Sequence, residues 1–292
     1  MPTRYRSSQE DSARWDGFAF RPGDIVISTR SKSGTTWMQR IAALLVFGEA
    51  RLPEPLGRLS PWLDWLGEPV GDLHARLAAQ PHRRFIKTHS PLDGIPLDPR
   101  ACYIVVARHP LDSALSLYHQ GRNIDRERLR TVTGRDSESV EQRQSLTARQ
   151  WLAAWIESGA TPAEDLDSLR GVLWHLCDAW ARRGEPNVLL VHYEDLQADL
   201  EGEMSRIAAW LGSAVAEDRW PALVQAAGFA AMRERARELA PDPGGIFKDK
   251  GAFFRSGRSG EGRAAVGAED LARYEARCAA LAPPDLLAWL HR

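Results

Sequence analysis

Residues 24–45, DIVISTRSKSGTTWMQRIAALL, constrain the fold more than any other stretch of the chain. The β-branched run Ile25-Val26-Ile27 reads as a short buried strand. Met38, Ile41, Ala42, Leu44 and Leu45 share one face at helical spacing. Between strand and helix stands a polar turn, Arg30-Ser31-Lys32-Ser33-Gly34-Thr35-Thr36. A helix N-terminus presents unpaired N–H groups and partial positive charge, so such a turn attracts phosphate-like anions. Gly34 lets the backbone approach closely, Thr35 and Thr36 offer hydroxyls, and Lys32 adds a full charge. The triphosphate pattern G-x-x-x-x-G-K-[ST] is absent, because Thr35 follows Gly34 and the lysine precedes the glycine. These residues alone leave two readings open, an anion cradle or an ordinary polar turn.

Three later apolar runs also end in polar residues. Phe85-Ile86 leads into Lys87-Thr88-His89, with Lys87 and His89 on one side of an extended chain. A lone histidine is commonly structural, so its neighbours decide its meaning. The run ACYIVVA, residues 101–107, ends at Arg108, and His109-Pro110-Leu111-Asp112 then opens a helix that carries Ser116. Val188-Leu189-Leu190-Val191 leads into Tyr193-Glu194-Asp195-Leu196. Continuous apolar strands of this kind are buried on both sides. They predict an α/β fold with a mainly parallel central sheet, helices on both faces, and ligands at the carboxyl edge.

Helical patterns are read at 148–158, 165–183 and 199–211, and again from Asp270 onward. Residues 1–20 read as a polar lead-in and 49–71 as an irregular, proline-rich connection. In that connection Trp62 and Trp65 are either loop packing or an acceptor-pocket wall. Residues 121–147 read as a solvated segment and a candidate mobile lid. No repeat or linker divides the chain, so 1–292 is taken as one domain.

Lys+Arg (38) nearly balance Asp+Glu (39) for a net charge of -1, which argues against a dedicated nucleic-acid binder. The three cysteines, Cys102, Cys177 and Cys278, read as reduced thiols. With no apolar signal core and no long apolar run, the expected location is cytoplasmic, without a membrane span. The 11 tryptophans are many for this length; most read as core, and those left to line a pocket favour a phenol, alcohol or lipid-like hydroxyl acceptor over a charged polysaccharide.

Residues 29–37, TRSKSGTTW, resemble the 5′-phosphosulfate loop TYPKSGTTW of the cytosolic-type sulfotransferases that use 3′-phosphoadenosine 5′-phosphosulfate (PAPS). Arg30 and Ser31 replace Tyr and Pro, and losing the fixed φ of proline predicts a looser loop. Lys87-Thr88-His89 resembles the family's KTH stretch. Arg108 to Ser116 resembles its R-x-P-x-D-x-x-x-S signature. Tyr193-Glu194-Asp195-Leu196 is similar to a family feature beside the adenine. Phe229 lies in AAGFAAM, similar to TSFKEM, with Ala227 where the family has an adenine-touching threonine. Residues 253–263 resemble FxRKGxxGDW. There Arg255 and Gly257 match, Ser256 replaces lysine and Gly262 replaces tryptophan, with Arg258 or Arg263 left to restore charge.

The resemblance implies a P-loop-like fold and sulfuryl transfer from PAPS, leaving the bisphosphate PAP, with no metal required. Lys32, Ser33, Gly34, Thr35 and Thr36 would hold the 5′-phosphosulfate. Arg108, Ser116, Arg255, Ser256 and Gly257 would hold the 3′-phosphate, and Trp37, Tyr193 and Phe229 would border the adenine. His89 would be the base, with Lys32 and Lys87 steadying the transferring group. A P-loop-like kinase and a non-catalytic nucleotide-binding protein are the alternatives, and oligomeric state stays open.

Overall fold

The computed structural model describes residues 1–134, 145–242 and 244–292. Its centre is a parallel sheet of β1 (Ile25–Ser28), β2 (Phe85–Thr88), β3 (Cys102–Ala107) and β4 (Val188–His192), in the order β2-β1-β3-β4. Ile25 is level with Phe85 and Cys102, and Ser28 is level with Thr88 and Val105. Parallel strands need crossovers, and their side chains alternate between the two faces. Val26, Ile86, Tyr103 and Val105 enter one core, whereas Ile25, Ile27, Phe85, Ile104 and Val106 enter the other. Both faces are covered, which is why the strand sequences are apolar without alternation.

The helices used below are α1 (Thr35–Phe47), α2 (Val70–Ala79), α3 (Pro110–Asn123), α4 (Arg126–Thr133), α5 (Ala148–Glu157), α6 (Leu169–Ala181), α7 (Tyr193–Ala198), α8 (Leu200–Leu211), α9 (Trp220–Ala227), α10 (Phe229–Glu234), α11 (Ala268–Leu281) and α12 (Pro284–Leu290). One core takes Leu73 from α2, Leu111 from α3, Leu152 from α5, Leu173 from α6 and Tyr274 from α11. The other takes Met38 and Ile41 from α1, Ile207 from α8 and Leu223 from α9. Among the described residues no helix is long and apolar enough to cross a membrane.

Three segments differ from their sequence reading. Helix α6 begins at Leu169 rather than 165, because Ser168 caps it by accepting the Gly171 N–H. The turn before it presents Asp167 to the phosphate loop. Residues 126–133 form α4, capped by Asp125 and stopped by Gly134 at φ 66°. The helix is secured by Leu129, which packs with Trp65 and Ile246. Residues 135–144 of the expected lid lie outside the described residues. The lead-in, read as polar, is packed against the rest of the chain: Tyr5 and Trp15 are buried, and Trp15 Nε1 donates to Asp64 at 2.7 Å.

Candidate active site

All four strands deliver a polar residue to the same carboxyl edge. Thr29 and Arg30 follow β1, His89 follows β2, Arg108 follows β3, and Tyr193 follows β4. The turn after β1 holds Lys32 at φ 66° and Gly34 at φ 102°, both left-handed. For lysine that conformation is strained, and it is retained where surrounding structure fixes it. A Cβ on Gly34 would meet the Tyr193 ring at 2.9 Å, so glycine is needed for space as well as for φ. Beyond Gly34, α1 begins with no side-chain cap, leaving its first N–H groups for a ligand.

The missing proline does not loosen this turn. Arg30 is 2% exposed, pairs with Asp167 at 2.7 Å and Glu10 at 3.5 Å, and donates to the His89 carbonyl. Ser31 Oγ donates to Asp167 at 2.9 Å. Side-chain ties from α6's approach and from the lead-in replace the fixed φ of proline.

His89 is buried and held on two sides. Its backbone N–H donates to Asp64 Oδ2 at 2.7 Å, and its Nδ1 lies 2.5 Å from the Thr29 carbonyl. A carbonyl oxygen only accepts, so Nδ1 carries the proton and Nε2 keeps its lone pair. Burial, then Lys87 and Arg30, push the imidazole well below its usual pKa, so it is neutral near pH 7. Lys87 lies over the Trp62 ring at 4.0 Å, with its pKa pushed by burial down to about 8. Lys32 donates to Gln120 at 2.6 Å and stacks on Phe253 at 3.8 Å. Burial, then Arg108, push Lys32 down to about 7. An anion between these cations would restore their charge.

Arg108 is buried under the opposite end of the cleft. Its Nη1 and Nη2 donate to the carbonyls of Lys32 at 3.3 Å and Arg258 at 2.9 Å, and the guanidinium lies 4.3 Å from the Tyr193 ring. Its buried Nε has no partner among the described residues. An orphaned guanidinium nitrogen beside an unfilled cradle fits a phosphate. Gly257 at φ 62° closes that end, and a Cβ there would meet the Phe229 ring at 2.5 Å. Arg255 and Ser256 both hold Glu261, the serine at 2.9 Å. Neither expected replacement cation enters the site by its side chain. Arg258 meets Arg108 through its carbonyl, and Arg263 faces Glu275 at 3.8 Å. Gly262 stands where tryptophan was expected because a Cβ would meet the Leu111 carbonyl at 2.2 Å. Asp112 accepts the N–H groups of Gly260 and Gly262 at 2.7 and 2.6 Å, fixing this segment to α3.

A single cleft joins these groups. Lys32, Gly34, Thr35, Thr36, Trp37, Lys87, His89, Arg108, Ser116, Tyr193, Phe229, Arg255, Ser256 and Gly257 line it. Ser33 does not, because its hydroxyl turns to Ser113 at 3.2 Å. Trp37 donates to the Ala227 carbonyl at 2.9 Å, so the position lacking threonine acts through its backbone. The two tryptophans divide the roles left open for them: Trp62 lines the cleft and Trp65 stacks behind it at 5.1 Å.

Several residues escaped the sequence reading. Asp64 accepts from Trp15, Trp62, Thr88 and His89, and its signal was an acid set inside the apolar run PWLDW. Gln9, Ile124, Ile246 and Phe247 reach the cleft from scattered segments with no motif to mark them.

The sulfotransferase domain model matches residues 22–282. A glycolipid sulfotransferase of Mycobacterium bovis is 42% identical over 309 residues, covering 98% of this chain and 93% of its own. Retinol dehydratase in complex with retinol and PAP shares the fold at TM-score 0.66 and 24% identity, covering 91% and 82% of the two chains. Mouse sulfotransferase SULT7A1 complexed with PAP does so at 0.64 and 19%, covering 90% and 86%. With a family model across most of its length and a relative of this similarity, the chain belongs to the sulfotransferase family.

Proposed function

We propose that this PAPS-dependent sulfotransferase places a sulfuryl group on a hydroxyl of an apolar, lipid-like acceptor, with His89 as general base. The observation that carries the reading is the His89 imidazole, neutral, with Nδ1–H tied to Thr29 and Nε2 left to take a proton. The donor brings an activated sulfuryl group and a phosphate leaving group. Lys32, Thr35, Thr36 and the α1 N-terminus would bind the 5′ end and offset the charge that grows on the leaving oxygen. Arg108 and Ser116 would grip the 3′-phosphate, with Arg255 and Gly257 closing over it. Trp37, Tyr193 and Phe229 would border the adenine. Lys87 would steady the transferring group while Asp64 keeps the His89 backbone in place.

The acceptor side supports a lipid-like hydroxyl compound. Trp62, Ile124, Ile246, Phe247 and Phe253 make that wall apolar and aromatic. The Mycobacterium bovis relative is itself a glycolipid sulfotransferase. The three free thiols suit a reducing cytoplasm, and we read residues 1–292 as one domain.

Radiolabelled PAPS incubated with the protein and a panel of glycolipid, long-chain alcohol, phenol and charged polysaccharide tests this directly. Label should pass to the glycolipid or the alcohol. Label found only on the polysaccharide, or on no acceptor, would overturn the proposal.

A further inference from the structure

We infer that the flank of α1 carries a second anion site, separate from the sulfotransferase cleft, that takes a phosphate-class oxyanion between Arg40, Arg51 and Arg235. Arg40 stands on α1 and is 1% exposed. Its Nη2 donates to the Ala50 carbonyl at 2.6 Å and its Nε to the Ala226 carbonyl at 3.4 Å, and its buried Nη1 has no partner. Among the described residues it forms no ion pair, so a full positive charge is buried on neutral carbonyls alone. Burial, then Arg235, push its pKa down to about 10, as expected for a cation lacking a counter-ion.

Two more guanidinium groups border the same depression. Arg51 is exposed and makes no hydrogen bond or ion pair among the described residues. Arg235 is held by Glu238 at 2.6 Å and leans toward the Ala50 carbonyl at 3.5 Å. Glu238 forms its ion pair with Arg235 and offers Arg40 only a weaker attraction without contact. Ala222, Ala226 and Ala231 keep the floor low, leaving a shallow, open depression. None of these residues lines the sulfotransferase cleft. Three guanidinium groups bordering one depression that no acidic residue lines suit a dianion bearing several acceptor oxygens. Free phosphate and a phospholipid headgroup share that chemistry.

The test uses the full chain saturated with PAP, so that the cleft's own phosphate positions are filled. Inorganic phosphate is then titrated at constant ionic strength, read by calorimetry and by melting temperature. Wild type should bind saturably, and Arg51→Gln with Arg235→Gln should weaken that binding by about tenfold or more. Arg51→Gln alone, at an exposed position, should give a smaller loss and guards against a folding defect in the pair. Sedimentation with phosphatidylcholine vesicles, with and without phosphatidic acid, separates the sources. Phosphate binding without vesicle binding assigns a free anion, whereas retention on acidic vesicles that the double variant loses assigns a headgroup. No saturable phosphate or acidic-vesicle binding, or equal binding by wild type and the folded variants, overturns the site.

Discussion

The two ends of the cleft are built by different means. The nucleotide end is made from chain segments that leave strand ends: the turn at Lys32–Gly34, Arg108 after β3 and Tyr193 after β4. Its turn combines left-handed backbone at Lys32 and Gly34 with ties from Arg30 and Ser31 to Asp167 and Glu10. The acceptor end collects Gln9, Trp62, Ile124, Ile246 and Phe247 from four separate stretches, joined by packing and by backbone bonds such as Asp125 N–H to the Ile246 carbonyl at 2.8 Å. Phosphate recognition demands exact donors at set positions, whereas enclosing an apolar acceptor demands only apolar surface. One end is therefore constrained residue by residue, and the other only in bulk.

The largest expected effect lies where the two ends meet. His89→Ala should lower transfer by about 10²-fold or more while PAP binding stays near wild type. Activity close to wild type would remove His89 as the base and leave the two ends without a shared chemical centre. Next comes Arg108→Ala. Calorimetry should show PAP binding weakened by about 1.5–3 kcal/mol, with AMP nearly unchanged, because only PAP carries a 3′-phosphate. Equal losses for both nucleotides would mean that Arg108 does not read that end.

Much of the nucleotide end was legible because its chemistry needs contiguous residues. A turn, a lysine and two threonines must be adjacent in sequence to be adjacent in space. The sheet was legible for a similar reason, since strands covered on both faces read as unbroken apolar runs. What stayed hidden was held by distant partners. Nothing local in residues 29–37 announces that Asp167 and Glu10 would brace Arg30 in place of a proline ring. The glycine at 262 looked like a lost tryptophan until the backbone of α3 appeared beneath it. Helix α4 was missed because two caps and Leu129, rather than an apolar stripe, secure it.

Smaller effects sharpen the contrast. Phe247→Ala should raise the acceptor KM by about tenfold while leaving PAP affinity alone, since one aromatic contributes bulk rather than an obligatory bond. A parallel loss of PAP affinity would show that the two ends are not energetically separate. The smallest effect is on pH dependence. In the empty cleft Lys32 sits near pKa 7, and phosphate oxygens would raise that value. The bound form then holds more protons than the free form above pH 7, so PAP affinity falls as pH rises, by less than about tenfold per pH unit. Lys32→Ala should flatten that slope in calorimetric titrations, and an unchanged slope would assign it to another group.

Asp112 holds Gly260 and Gly262 from the first turn of the helix that follows Arg108. The segment that carries Arg255 and Gly257 is thus moored to the wall it lies against.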